Sequence, residues 1–243
     1  MTVQKHYDHH LGNFYSWMTG DFAAGKKKFA EFLSENKIVP DSTKMALDLG
    51  AGHGVQSAAM AEAGYTVTAV DFSEPLLREL DLNTMGMSVH IVRDDIRSVR
   101  RFEKQKPELI VCWGYTLTHL DNKEEVRRFI SDISEILQPG GKFLLSFRDY
   151  SAELTGDKRF IPVRSDDTRI LTCFLEYDHD YVRVTDLLHE KTDHGWQQKV
   201  SSYSKVRIPS SLVIEFLEES GINIIENRII QGMITLISQK NNI

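Results

Sequence analysis

Three glycines on alternate positions, Gly50, Gly52 and Gly54, follow directly on the apolar run Met45-Ala46-Leu47-Asp48-Leu49. A strand that runs into a bare-backbone turn and then a helix calls for a layered α/β fold. Gly50 permits positive φ in the sharp turn off the strand. Gly52, with Ala51 beside it, lets a ligand come against the backbone, and Gly54 opens the next helix without a side chain in the way. The pattern D-x-G-x-G-x-G differs from the dinucleotide fingerprint G-x-G-x-x-G, whose third glycine would fall at Val55. A second apolar run, Thr66-Val67-Thr68-Ala69-Val70, ends at Asp71, where a carboxylate can accept hydrogen bonds from both hydroxyls of a ribose. Loop and acid together point to a nucleoside-bearing ligand.

Apolar and amphipathic runs alternate around this motif. Strands are expected at 45–49, 66–71, 88–92, 109–113 and 142–147, and helices at 54–63, 74–81 and 123–137. Near-continuous apolar strands between helices imply a parallel sheet covered on both faces. Before this series, 1–40 reads as two helices rich in aromatics. After Pro139-Gly140-Gly141 and the last parallel strand, the texture becomes antiparallel: strands at 169–175, 181–188 and 199–208 are separated by polar turns, with period-2 alternation clearest in Tyr181-Val182-Arg183-Val184-Thr185-Asp186-Leu187. A helix at 209–220 and strands at 222–230 and 233–238 complete the chain. The expected division is 1–40, an N-terminal helical lid; 41–150, the ligand-binding core; 151–208, an antiparallel insertion; and 209–243, a final helix and hairpin returning to the core.

A net charge of -6 without a concentrated basic surface argues against a nucleic-acid partner. Cys112 and Cys173 lie in separate apolar runs, as buried free thiols would. The first residues are charged and histidine-rich where a secretory signal would be apolar, and no run approaches the ~20 apolar residues of a membrane span. A soluble cytoplasmic protein with no membrane partner is expected. Nothing in the sequence signals an oligomeric state.

Asp48, Gly50, Gly52 and Gly54, with Asp71 closing the next strand, resemble the motifs of class I S-adenosylmethionine-dependent methyltransferases. That resemblance implies a seven-stranded Rossmann-like sheet with its last strand antiparallel, and S-adenosylmethionine as cofactor. It implies that the 50–54 loop wraps the methionine portion while Asp71 holds the ribose with Phe72 beside it. After the third strand, Asp94 or Asp95 would bind the adenine amine and Ile96 would lie against the ring; the plain alternative is that these acids cap the short helix that follows. Trp113 and Gly114 would flank the nucleoside, Trp113 being equally at home in the core.

Two further stretches resemble glycine N-methyltransferases: Cys112-x-Gly114-x-x-x-x-His119-Leu120 after the fourth strand, and Arg148-x-Tyr150 after the fifth. Under that resemblance Arg148 would grip an acceptor carboxylate in bidentate geometry, unless it merely pairs with Asp149. His119 would hold the methionine end or a water, or take a proton from an amine, unless it is a histidine bonded only to backbone. Tyr115 stands where those enzymes tend to carry asparagine, which implies a larger or differently shaped acceptor than glycine. Tyr150, Tyr177 and Tyr203 are candidates to reach the pocket from the β-rich segment.

The segment His6-Tyr7-Asp8-His9-His10 with Phe14-Tyr15-Ser16-Trp17-Met18 resembles the lid of small-molecule methyltransferases, with Tyr15 facing the sulfonium; the alternative is an amphipathic helix with core aromatics. Its three histidines lack cysteines or a ligand geometry, so no metal is expected. Methyl transfer from a sulfonium is an in-line substitution with a neutral leaving group, so holding two reactants on one axis in a dry pocket is the main requirement. The expected reaction is methylation of a small-molecule amine or amino acid. The alternatives are an oxygen or carbon acceptor, ring closure of the cofactor's own aminobutyryl chain, or a non-catalytic cofactor binder.

Overall fold

The structure is a computed structural model that describes residues 2–242. The N-terminal region holds α1 (Val3–His9), α2 (Tyr15–Thr19) and α3 (Phe22–Glu35), with a 3-10 turn at Leu11–Asn13 between the first two. The two helices expected there are therefore three and a turn. Across the break Leu11 and Phe14 pack with Leu171 and Leu188, and Tyr7, Leu11 and Tyr15 border a cavity. Asp21 starts α3 by accepting from the N–H groups of Ala23 and Ala24.

The central sheet contains β1 (Met45–Leu49), β2 (Thr66–Asp71), β3 (Val89–Arg93), β4 (Leu109–Cys112) and β5 (Lys142–Phe147) in parallel. Helices α4 (Val55–Glu62), α5 (Glu74–Asn83) and α6 (Lys123–Ile136) connect them, aided by short helical turns at Ile96–Gln105 and Thr116–His119. Alternate residues of each strand face opposite layers. Leu47, Leu49, Ile110, Cys112, Phe143 and Leu145 pack under α6, and Ala46, Leu109, Val111 and Leu144 pack under α3 and α4. Both faces are buried, which is why the strands read as unbroken apolar runs.

The chain then leaves the sheet to form an antiparallel cap: β6 (Phe160–Ser165), β7 (Arg169–Tyr177), β8 (Tyr181–Thr192) and β9 (Gly195–Val206), paired in that order. The alternation in β8 puts Val182, Val184, Asp186 and Leu188 on the buried face, as the sequence pattern required. Strand β6 was not foreseen. It is a mostly exposed edge carrying Pro162, so neither periodicity nor apolar content marks it. Both ends of the cap are tied together: Arg207, just past β9, donates from Nε to the Tyr150 carbonyl (3.1 Å) and from Nη2 to the Ser151 carbonyl (3.0 Å), and Asp149 accepts from the Ser210 N–H (2.8 Å).

Helix α7 (Ser210–Glu219) leads to β10 (Ile222–Ile230) and β11 (Met233–Lys240), giving the order β10-β11-β5-β4-β1-β2-β3. Strand β11 runs antiparallel to both neighbours. Cys112 is buried in β4 and Cys173 partly buried in β7, both free. No helix among the described residues is long and apolar enough to cross a membrane.

Candidate active site

Strand order reverses at β1, with β2 on one side and β4 on the other, and a crevice forms at the carboxyl ends of the strands there. The N-terminal helices, the cap and the crevice border one cavity of about 890 Å³. Its floor is the glycine loop. The N–H groups of Gly50 and Ala51 donate to the Val70 carbonyl (2.8 and 3.0 Å), and that of Gly52 donates to Asp71 Oδ2 (2.9 Å). Gly50 has φ +77°, and a Cβ there would lie 2.3 Å from Thr116 Oγ1. A Cβ on Gly52 would point to the Tyr15 ring at 3.7 Å, so a side chain would fill the gap between loop and lid. Asp71 Oδ1 accepts from the Ser73 N–H (2.8 Å). Burial pushes the Asp71 carboxyl up while these backbone N–H bonds hold it down. A carboxylate offers about four acceptor positions, so two remain toward the cavity for a diol.

Gly50, Ala51, Gly52, Asp71, Phe72, Ile96, Trp113, Gly114 and Tyr15 all line this space, as do Tyr115, His119 and Arg148. Two of the expected residues, Asp48 and Asp94, lie off the cavity wall. Asp48 does not line the cavity: it is 1% exposed behind the loop, where Ser57 Oγ donates to its Oδ2 (2.5 Å). Asp94 also lies outside, turned to Arg101. Asp95 reaches the wall, but its Oδ1 accepts from the Arg97 N–H (2.9 Å) and Arg97 Nη2 donates to its Oδ2 (2.6 Å). Asp95 thus borders the cavity and also caps the helical turn that follows it. Trp113 borders the cavity while its ring meets Phe29 and Phe32 edge-on.

From the lid, Tyr7 donates or accepts a hydrogen bond with His119 Nε2 (3.2 Å), and burial pushes its phenol and that of Tyr15 up, keeping both neutral. The lid is moored by His6, fully buried, whose Nδ1 pairs with Ser201 Oγ (2.8 Å) and whose Nε2 is 3.1 Å from Asp186 Oδ2. His10 lies between the rings of His6 and Phe14, with centroids 5.4 and 5.1 Å away, while His9 is exposed. Burial holds His119 well below the usual histidine range, reinforced by the charge of Lys205. A histidine so shifted stays neutral and is a weak proton acceptor.

At the far end stand Tyr115, Arg148, Tyr150 and Tyr203; Tyr177 does not reach the cavity and lies under Arg207 instead. Asp149 is committed to Ser151 and Ser210, and among the described residues Arg148 has no ion-pair or hydrogen-bond partner. Sequence reasoning missed Lys205, which is 3% exposed with Nζ 3.8 Å from the centre of the Tyr115 ring. Its signal was present, because Lys205 shares the inward phase of β9 with Ser201 and Tyr203. The bare loop, the diol-ready carboxylate of Asp71, the apolar wall of Phe72 and Ile96, and the Tyr15 ring fit S-adenosylmethionine. The same residues would take its methionine, ribose, adenine and sulfonium parts in turn.

Asp48 carries a stability prediction. Burial pushes its carboxyl up to about 7, against the pull of the Ser57 hydroxyl. The folded chain then holds a proton that an unfolded aspartate releases near pH ~4, so stability should fall as pH rises from ~4 to ~7 and stay reduced above. Asp48→Asn cannot ionise and should be more stable than the parent at pH 8 by ~2–4 kcal/mol, with the gap closing below pH 5. Urea denaturation at both pH values checks this; equal gaps would contradict it.

A family model described as a methyltransferase domain matches residues 46–141. The chain is 30% identical over 109 residues to a glycine/sarcosine N-methyltransferase of Aphanothece halophytica, covering 44% of this chain and 41% of that one. It spans about half the length of the curated relatives it matches. Among solved structures it is similar to the CcbJ methyltransferase of Streptomyces caelestis, with TM-score 0.79, 18% identity and coverage of 97% and 98% of the two chains. It is also similar to CalS10 with S-adenosylmethionine bound, an amino pentose methyltransferase of Micromonospora echinaspora, with TM-score 0.70, 14% identity and coverage of 91% and 92%. This chain therefore carries a methyltransferase domain over residues 46–141 and has the fold of the class I S-adenosylmethionine-dependent methyltransferases.

Proposed function

We propose that this chain transfers a methyl group from S-adenosylmethionine to the nitrogen of a small carboxylate-bearing amine or amino acid, releasing S-adenosylhomocysteine. One observation carries the reading: a single cavity runs from the glycine loop and Asp71 to an Arg148 guanidinium that no carboxylate of the described residues neutralises. A partly buried guanidinium without a partner is costly unless a ligand completes it. At about 890 Å³ the cavity is near the top of the ~300–1,000 Å³ range of small-molecule sites, which favours two reactants over cofactor alone. The name of the Aphanothece halophytica relative agrees with an amino-acid acceptor.

In this reading the cofactor supplies an electrophilic methyl carbon next to a positively charged sulfur. The Gly50–Gly52 backbone and Asp71 fix it, Ile96 and Phe72 flank its base, and Tyr15 offers a π face to the sulfonium. Residues 1–40 act as the lid, 41–150 with 209–243 as the core, and 151–208 as the cap that shapes the acceptor site. Arg148 orients the acceptor carboxylate, Tyr115 narrows the approach, and neutral His119 orders the methionine end through Tyr7. We place the reaction in the cytoplasm, in keeping with two free thiols on different sheets.

The test is incubation with S-adenosylmethionine, with and without a pooled amine and amino-acid panel, followed by mass spectrometry. S-Adenosylhomocysteine formed only with the pool is the expected result. Methylthioadenosine formed without any acceptor would overturn the reading in favour of chemistry on the cofactor's own chain. With the acceptor found, Arg148→Ala should raise its KM roughly 100-fold, as loss of a charge-assisted carboxylate contact requires, and leave cofactor affinity unchanged. Unaltered KM for a carboxylate acceptor would remove that role.

A further inference from the structure

We propose that Lys205 takes the proton from the acceptor nitrogen before methyl transfer, a step that rests on the amine reading above. Lys205 enters the acceptor end of the cavity from β9, where its backbone pairs with Val182 of β8. Among the described residues no carboxylate lies within ion-pair distance of its Nζ and no hydrogen bond is made to it. Aromatic faces stand around it: Tyr115 at 3.8 Å, Tyr203 at 5.5 Å and Tyr150 at 5.8 Å from Nζ to the ring centres. A lysine serving only as a structural cation would be expected to sit on an acid. Asp186, the acid of the cap's inner face, is instead taken up by His6 and by the Cys173 thiol, whose Sγ is 3.0 Å from Asp186 Oδ1.

The charged and titratable groups around Lys205 come from every element packed on it. Asp186 on β8 and Cys173 on β7 favour its protonated form, Arg148 after β5 disfavours it, and Tyr115, Tyr150, Tyr203 and His119 complete the wall. Burial, the largest of these influences, brings the amine down to about 7. A base poised near operating pH is the most effective proton acceptor. His119, the other candidate, is held far lower by the same burial and by Lys205 itself.

The step balances without a further reactant. The acceptor arrives as R–NH3⁺ with its carboxylate on Arg148, and neutral Lys205 Nζ takes one proton to become –NH3⁺. The freed nitrogen lone pair forms the N–CH3 bond as the C–S bond breaks, and that electron pair stays on sulfur as a neutral thioether. The product leaves as R–NH2⁺–CH3, and Lys205 returns its proton to solvent at the cavity mouth.

Kinetics with the fastest panel amine and a labelling experiment without any acceptor test this together. The parent should show an acid limb in kcat near pH 7, and Lys205→Met should lose that limb and ~100-fold or more of kcat with unchanged cofactor affinity. Lys205→Arg should not restore it, because a guanidinium does not release its proton. Restoration by arginine, or a rise in KM with kcat intact, would make Lys205 a carboxylate-binding cation and overturn the proposal. In competitive labelling with acetic anhydride read by peptide mass spectrometry, Lys205 should gain reactivity around pH 7. A midpoint near the ~10.4 of a free lysine, or no labelling, overturns the role of Lys205 alone. Turnover confined to oxygen or carbon acceptors, or absent with every acceptor, overturns the amine reading and this step with it.

Discussion

Asp71→Ala is expected to raise the dissociation constant of S-adenosylmethionine by 100-fold or more. The carboxylate has two duties at once. Each oxygen accepts one backbone N–H, from Ser73 and from Gly52, and each keeps a second acceptor position toward the cavity. Hydrogen bonds to a charged acceptor contribute ~1.5–3 kcal/mol each, so loss of two to a ribose amounts to roughly 100- to 10,000-fold in affinity. Alanine also leaves the Gly52 N–H without its acceptor and loosens the loop. Asp71→Asn separates the two effects, since its carbonyl can keep one backbone bond and its amide donates where a carboxylate accepts. Calorimetric titration should rank the affinities parent, asparagine, alanine. Binding by the alanine variant at parental strength would remove Asp71 from the cofactor site.

Gly50→Ala is the second large effect, and it should appear in stability before it appears in binding. The position combines φ +77° with a virtual Cβ only 2.3 Å from Thr116 Oγ1, 2.4 Å from Cγ2 and 2.9 Å from Cβ. Left-handed backbone in a non-glycine residue costs ~1–3 kcal/mol, and overpacking adds ~1–3 kcal/mol. Thr116 has little room to retreat, because its hydroxyl donates to the Trp113 carbonyl (3.2 Å) within the turn after β4. The expected loss is ~2–6 kcal/mol by denaturant unfolding. Pairing the change with Thr116→Gly should recover the steric part and leave the backbone part, a coupling that a double-mutant cycle measures. Additive losses would show that the two residues do not meet.

Much of the fold was legible because its burial pattern is simple. Strands covered on both faces are written as Ala46–Leu49 or Ile110–Cys112, and an inward cap strand as the alternation Val182, Val184, Asp186. An element that buries little left little trace, as with the exposed edge β6. The loop motif located the cavity, yet it did not sort acids that line it from acids that brace it. Asp48 and Asp94 sit within a residue or two of the wall and are consumed by Ser57 and Arg101. Which way a carboxylate turns depends on partners that are distant in sequence or one helical turn on. Lys205 was overlooked for the opposite reason: a lysine in a strand reads as a solvent-facing residue until strand phase is applied to it.

The knot of Arg207 and Asp149 at the root of the cap has a bearing on how such an enzyme diversifies. Tyr150 and Ser151 on the way out and Arg207 on the way back are bonded to each other, so the excursion begins and ends at one point of the core. To the seven-stranded sheet it is a loop with a closed neck. The closure entropy of a loop rises only with the logarithm of its length, so lengthening the excursion beyond the neck costs about 0.6 kcal/mol of closure entropy for each doubling. Selection can therefore lengthen or shorten the cap with little closure cost to the sheet that carries the glycine loop of β1 and Asp71 of β2.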